Sequence, residues 1–358
     1  MESELRKILL DQASRLIKVE AQWSRLKDLL DGPATFDSQM WSQAVKMGWP
    51  AMAIDEELGG LGLGLGLEPL SALLELLGQR TVSLPLVSNF VTASALAQNK
   101  VALELVQGIA LGEAIATLAL PESGDNGLAI NSTVSAGRVS GAKAPAPFAV
   151  VATHALVSAL DGAMPGLYLV ELEGVERKAI PSLDNARASA AITFEDAPAI
   201  CVAQGREAVL HWAAVAATLT AFEQVGGAQR CLDTSVEYAK ERRVFGQPIG
   251  AFQAIKHKLA DMYQEVEIAR GCALDAVEAL EQCRTDFLSL ACAARLGASA
   301  AYDFNARECI QTHGGIGVTW EAEPHHHYRR ARVLALELGG GTFWRDLLVD
   351  GQHALEVA

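Results

Sequence analysis

The chain has 358 residues, half of them apolar and 20% charged. That is enough for two or three domains around a large core, and it excludes a disordered chain. A net charge of −14 argues against a nucleic-acid binder, because phosphate contacts require a basic face. A local arginine cluster could still receive an anionic ligand. The six cysteines contain no Cys-x-x-Cys pair and mostly fall in apolar helical surroundings, where free thiols behave as small hydrophobes. The charged amphipathic start does not resemble a signal peptide. The most apolar run, Trp212 to Phe222, is about half the length that spans a bilayer. The expectation is a reducing cytoplasmic setting, with no membrane and no nucleic acid as partners.

Residues 1–112 read as a helical domain. Met1–Leu30 carries apolar residues at three- and four-residue spacing and ends at Asp31-Gly32-Pro33. Asp37 is placed to cap a helix holding Trp41, Val45 and Met47. The glycine-dense stretch Glu56–Gly62 lacks the Lys-Ser/Thr of a P-loop and follows no clear strand, so it reads as a tight helix-to-helix turn. A helix from Glu68 to Leu77 comes next. Over 113–206 the period changes to two. Arg138–Gly141, Val150–Leu156, Gly166–Leu172 and Ala190–Phe194 are short β-rich runs, which predicts a small barrel or sandwich. Over 207–358 helices return. Glu207–Arg243, Phe252–Glu281 and Thr285–Thr312 have no internal proline and predict an antiparallel four-helix bundle. The expected class is α+β, in the order helical domain, β-domain, bundle.

Two loops interrupt the last region. Glu241-Arg242-Arg243-Val244-Phe245-Gly246-Gln247-Pro248-Ile249-Gly250-Ala251-Phe252-Gln253 ends one long helix, and Gln311-Thr312-His313-Gly314-Gly315-Ile316-Gly317 ends another. Taken alone, Arg242 reads as a surface side chain pairing with Glu237 or Glu241, and the glycine turn as a helix C-cap. Together and in this order they resemble the FAD-binding signatures of the acyl-CoA dehydrogenase family. Met47–Gly62 and Pro85-Leu86-Val87-Ser88 resemble its N-terminal segments, so the likeness covers nearly the whole chain. The resemblance implies FAD as cofactor, an acyl-CoA thioester as substrate and an electron-transfer flavoprotein or similar acceptor. In such enzymes the α-proton goes to a Glu and the β-hydride to the flavin. It also implies an oligomer, homomeric or heteromeric, with another chain of the family. By resemblance Arg242 contacts the FAD pyrophosphate, to which its fork of donors is suited. Phe245 and Gln253 would reach the adenosine half. Gln311, Gly314 and Gly315 would line the phosphates from a neighbouring subunit, where missing side chains let backbone N–H groups approach.

The departures from the family are equally informative. Its flavin-ring loop, Thr-Glu-Pro-x-x-Gly-Ser-Asp, is matched here only by Leu120-Pro121-Glu122-Ser123-Gly124-Asp125, without the threonine. Lys143-Ala144-Pro145-Ala146-Pro147-Phe148 lacks the aromatic and hydroxyl expected in register. Alignment on Arg329-Arg330-Ala331-Arg332 puts the family's base at Leu338, and alignment on Gly341-Thr342 puts it at Gly340. The alternative base position of some members falls on Ala216. None is a carboxylate, and loss of a general base costs on the order of 100- to 10,000-fold in rate. Glu337 and Glu223 are the remaining candidates. Otherwise Glu337 is a solvated helix-face residue and Glu223 a structural hydrogen-bonding group in the bundle. Asp184 and Arg187 read as an interdomain ion pair. His325-His326-His327 point in different directions on a helix and do not suggest a metal site. Three functions are then open: the base-less subunit of a heteromeric enzyme, a self-sufficient dehydrogenase with a displaced Glu, or a non-enzymatic scaffold that has lost FAD.

Overall fold

Helices occupy both ends of the chain and strands the middle. The structure, a computed structural model, describes residues 2–21, 23–32, 36–62, 66–122 and 127–356. The first part holds α1 (Glu2–Glu20), α2 (Trp23–Asp31), α3 (Ser38–Lys46), α4 (Glu68–Gln79), α5 (Leu86–Asn99) and α6 (Leu103–Ala110). The run ending at Leu30 is thus two helices. Ala13, Ile17 and Ala21 are buried at four-residue steps, then a five-residue step to Leu26 breaks the register. Asp37 caps α3, accepting from the Met40 amide at 2.9 Å, and also pairs with Arg25. The glycine-dense stretch forms one 3₁₀ turn, Glu56–Leu58, closed by Gly59 at φ 85°.

The β-domain comprises β1 (Ala116–Ala119), β2 (Thr133–Ser135), β3 (Arg138–Pro147), β4 (His154–Asp161), β5 (Met164–Glu171), β6 (Glu176–Ala179) and β7 (Ser189–Gln204). Pairing runs β4–β5–β7–β3–β2 and back to β4, so the sheet closes into a barrel. β1 lies parallel to β4, with Leu118 opposite Leu156, and β6 pairs with β7. Val139, Val157, Val170, Ile192 and Phe194 belong to its own apolar cluster. The expected strand from Val150 starts only at His154. Val151 and Ala152 instead donate back to the Phe148 carbonyl in a turn.

After the barrel come α7 (Arg206–Glu241), the hairpin strands β8 (Arg243–Val244) and β9 (Gln247–Pro248), then α8 (Gln253–Glu281), α9 (Phe287–His313), α10 (Pro324–Leu336) and α11 (Gly341–Glu356). Helix α9 packs against α7, α8, α10 and α11, and α7 also packs on α4. That second crossing is backbone to backbone. A Cβ at Gly78 would overlap the Glu223 carbonyl, and one at Gly226 the Glu75 carbonyl. Glycine at both contacts brings the helical first region onto the middle of α7, and so next to Glu223. No helix among the described residues is long and apolar enough to cross a membrane.

Candidate functional site

The two loops that interrupt the helical bundle lie at the adjoining ends of α7 and α9. Arg242 leaves α7 in an extended conformation, its amide donating to the Tyr238 carbonyl at 2.8 Å. Arg243–Val244 then pairs with Gln247–Pro248, and the two connecting residues, Phe245 and Gly246, have φ of 52° and 81°. A two-residue hairpin requires left-handed backbone at both, although Phe tolerates it poorly. The Phe245 ring is 92% exposed at the tip. Covering such a side chain would gain roughly 1.5–3 kcal/mol, so the hairpin presents a surface suited to a partner or ligand. The exposed Arg242 guanidinium makes no hydrogen bond or ion pair with another described residue, so neither Glu237 nor Glu241 takes it up.

Helix α9 ends at His313, and Gly314 adopts φ 64°, ψ −141°, a region open only to glycine. A Cβ at Gly314 or Gly315 would meet no atom within 4 Å, so their backbone faces open space. Gln311 is exposed one turn back. Gln253 opens α8, and its amide meets the His257 ring at 2.7 Å. The ends of α7 and α9 touch through Tyr238 and His313, whose rings lie 4.3 Å apart and 30° from parallel. One chain therefore brings into contact the ends of the two helices that lead into the Arg242 hairpin and the Gly314–Gly315 turn. The carbonyl ends of α7 and α9 disfavour an anion by about 0.3–1 kcal/mol each. Arg242, Arg243 and the N-terminus of α8 supply the opposing positive charge. This half of the site fits a pyrophosphate: the Arg242 fork has no partner among the described residues and the Gly315 backbone faces open space, although the Gly314 N–H donates back to the Ile310 and Gln311 carbonyls.

The flavin-ring half is different. Of the three positions matched to a base, Leu338 is 2% exposed and Ala216 fully buried, both in the apolar core, and Gly340 is part-buried and has no side chain. Glu337 is not on a helix face: α10 stops at Leu336, and Glu337 is an extended C-cap residue (φ −64°, ψ 135°), 9% exposed. Its carboxylate accepts from Arg187 Nε at 2.7 Å and Nη2 at 2.9 Å. Arg187 Nη1 reaches both oxygens of Glu223 at 3.1 Å, and Arg330 Nη1 reaches one of them at 3.1 Å. Arg330 also pairs with Asp184 and donates to the Thr81 carbonyl at 2.9 Å. Arg295 donates to the carbonyl of Leu334 at 2.5 Å and to that of Glu337, tying down the end of α10.

The cluster contains three arginines and three carboxylates, all nearly buried, and its formal charges cancel. Burial disfavours the Asp184 carboxylate, but Arg330 and His326 outweigh it and hold the group well below the usual carboxylate range. Burial likewise opposes the Arg187 charge, and Glu223 and Glu337 overcome it. Burial draws the Arg295 guanidinium down to about 10. Asp184 and Arg187 do not pair side chain to side chain; each links the β-domain to the bundle instead, Asp184 through Arg330 and Arg187 through Glu223 and Glu337. Both oxygens of Glu337 and of Glu223 are already occupied by arginine donors. To act as a general base, either carboxylate would first have to loosen a buried ion pair, which is costly.

On the remaining ring-side segments, Ser123, Gly124 and Asp125 lie outside the described residues. Glu122 is buried and accepts from the amides of Asn131 and Ser132 and from Lys143 Nζ at 2.8 Å. Phe148 has φ 58°, with the Arg187 guanidinium 5.3 Å from its ring centre. The three histidines diverge in the first turn of α10. His325 lies between Trp23 and Trp320, His326 meets Thr81 at 3.1 Å, and His327 meets the Tyr302 hydroxyl at 2.9 Å. Sequence reasoning missed Arg295, Arg330 and Tyr238. Arg295 did carry a signal: a cation on a face shared with Ala291, Ala294 and Ala298 must find a buried partner.

A sequence profile described as "Acyl-CoA dehydrogenase, C-terminal domain" matches residues 203–347. Acyl-CoA dehydrogenase IpdE2 of Mycobacterium tuberculosis is 31% identical over 334 residues, covering 93% of this chain and 92% of that one. The chain belongs to the acyl-CoA dehydrogenase family. A solved structure titled "Tcur3481-Tcur3483 steroid ACAD G363A variant" superposes with TM-score 0.92 at 30% identity over the whole of both chains. The ChsE4-ChsE5 complex from Mycobacterium tuberculosis gives TM-score 0.87 at 24% identity, covering 98% of this chain and 97% of that one. The helix–barrel–helix order is thus an acyl-CoA dehydrogenase fold.

Proposed function

We propose that this chain is the base-less subunit of a heteromeric acyl-CoA dehydrogenase. It lends Arg242, Phe245, Gln253, Gln311, Gly314 and Gly315 to FAD seated mainly in a partner chain that carries the catalytic Glu. When bound, FAD supplies the hydride acceptor for α,β-dehydrogenation of an acyl-CoA thioester. This chain's residues hold the phosphates and cover the adenosine half. The observation that carries the reading is the contrast between the halves of the site. On the phosphate side the Arg242 guanidinium has no partner among the described residues and the Gly315 backbone faces open space, while the carboxylates of Glu337 and Glu223 are held by arginine.

The similar Tcur3481-Tcur3483 and ChsE4-ChsE5 structures support a two-chain assembly, and the first is of a steroid enzyme. A bulky acyl-CoA is accordingly the substrate class, with an electron-transfer flavoprotein or similar acceptor and a cytoplasmic setting. A self-sufficient enzyme using Glu337 or Glu223 is the weaker reading, because each would have to leave a buried ion pair. A scaffold without FAD is weaker still, since Arg242 has no partner among the described residues and nothing in the fold closes over Gly315.

The test is the visible spectrum of the purified chain, alone and co-expressed with an acyl-CoA dehydrogenase-like chain that has an intact Glu, followed by anaerobic addition of acyl-CoAs. The expected result is yellow protein that bleaches only in the pair. Bleaching by the chain alone would establish the self-sufficient reading. Colourless protein in both forms would leave the scaffold.

A further inference from the structure

The two phosphate-side loops lie in different segments of the chain, and something must fix their separation. Helices α7 and α9 run side by side along a seam marked by Gln224 Nε2 with Ser299 Oγ at 3.0 Å, Gly227 against the Tyr302 ring, and finally Tyr238 against His313. The last of these is the seam's final contact before both helices end. Tyr238 is tied forward to the hairpin, because its carbonyl accepts from the Arg242 amide at 2.8 Å. His313 is tied back to its own helix, because its Nδ1–H donates to the Cys309 carbonyl at 2.8 Å, which fixes the ring. The Tyr238 hydroxyl donates to the His313 carbonyl at 3.4 Å, on the peptide that leads into Gly314. The turn also folds back on this residue: a Cβ at Gly317 would lie 3.1 Å from the His313 Cβ. By contrast, the Arg242 side chain has no partner among the described residues, and its hairpin ends at an exposed tip.

We infer that Tyr238 and His313 form a positioning pair that holds the Arg242 hairpin and the Gly314–Gly315 turn in one geometry, so that they grip a dinucleotide pyrophosphate as a single clamp. This rests on the flavin reading above. Tyr238 acts through Arg242 and the turn and does not itself touch the phosphate. A stacked aromatic pair and one hydroxyl contact are worth roughly tenfold in an equilibrium constant when removed together.

The experiment is titration of FAD into deflavinated protein, alone and assembled with its partner chain, read by flavin fluorescence anisotropy. The variants are Tyr238→Ala, Tyr238→Phe, Arg242→Ala and the double variant Tyr238→Ala/Arg242→Ala. Tyr238→Ala is expected to raise Kd about tenfold, and Tyr238→Phe, which keeps the stack, to stay within about threefold of the original. In the Arg242→Ala background the tyrosine substitution is expected to cost no more than about a further threefold, because a positioning residue loses its effect with the group it positions. Fully additive losses would make Tyr238 an independent contact and overturn the inference. If Arg242→Ala weakens FAD and Tyr238→Ala does not, the pair is not a positioning device although the flavin reading stands. If neither weakens it, or the unmodified protein binds no FAD in either form, the flavin reading itself fails. Should Tyr238→Ala not fold, Tyr238→Leu carries the same comparison, with thermal melting as the check on folding.

Discussion

Glu337 meets Arg187 edge-on, accepting from its Nε at 2.7 Å and its Nη2 at 2.9 Å, which uses both carboxylate oxygens on a single guanidinium. The remaining Arg187 nitrogen goes to Glu223. A side chain from the segment before β7 thereby engages the two carboxylates nearest the family's base positions. Desolvating the ions costs several kcal/mol each, and only bidentate geometry with further hydrogen bonds offsets such a cost. Arg330 and Arg295 supply those bonds and extend the cluster to Asp184, to Thr81 and to the end of α10. The result is a clasp joining the helical first region, the barrel and the bundle.

Arg187→Ala should therefore destabilise the fold by about 3–5 kcal/mol, because it leaves two buried carboxylates underpaired. Arg187→Lys should recover little, since an ammonium cannot donate from two edges to two partners. Chemical denaturation at neutral pH checks both. A loss below about 1 kcal/mol in the alanine variant would show that the clasp does not hold the three regions together.

Arg242→Ala should do the reverse. An exposed side chain with no partner contributes within about 0.5 kcal/mol to stability. Loss of a charge-assisted contact to phosphate should weaken FAD binding by about 10- to 100-fold. Melting temperature and flavin content measured on the same preparation separate the two effects. Unchanged flavin content would remove Arg242 from the site.

The order of the regions was legible because each rests on local periodicity: proline-free helical runs at the ends, period-two runs between them. The two breaks in the bundle were legible for a similar reason, since Phe245-Gly246 and Gly314-Gly315 are local backbone features that glycine betrays, whereas a phosphate role for them came only from the family resemblance. The clasp was not. Its members come from five separate segments around 81, 184–187, 223, 295 and 330–337, and no local pattern places them together. Glu337 was misread as a helix-face residue because the periodicity of α10 runs smoothly up to it. The fold ends that helix at Leu336 and sets Leu338 at φ 64°, a break that the Gly339-Gly340-Gly341 run could have signalled. Val150 failed differently: a β-branched residue fits a strand by composition, but tertiary context put it in a turn.

The two glycines of the α9 turn should respond differently to alanine. Gly314 has φ 64° and ψ −141°, so Gly314→Ala should cost about 1–3 kcal/mol in strain even though space is open around it. Gly315 has no positive φ and equally open surroundings, so Gly315→Ala should leave stability nearly unchanged. Its methyl group should nonetheless stand between the backbone and a phosphate and weaken FAD binding. Paired melting and FAD titrations test this. A Gly315→Ala protein that binds FAD normally would mean that the phosphate does not approach that backbone.

The β-domain has its own buried charge pair, and acid should reveal it. Burial pushes the Glu122 carboxyl up, but bonds from Lys143, Ser132 and Asn131 outweigh it and bring the group down from 4.5 to about 2. A carboxyl depressed in the folded state stabilises the fold fully above its unfolded value, and that contribution is lost as pH falls from about 4.5 towards 2. Glu122→Gln should remove this part of the acid dependence, flattening stability against pH in that window. It should also lower stability at neutral pH, because Lys143 is fully buried and would lose its counter-charge. Burial already draws the Lys143 ammonium down, and without Glu122 it should fall further. A lysine depressed on folding recovers stability as pH rises from its folded value towards its unfolded one, so the variant should gain more stability towards alkaline pH than the parent. Denaturation curves of parent and variant across the acid and alkaline ranges read both slopes. Parallel curves in the acid window would show that Glu122 carries no such linkage.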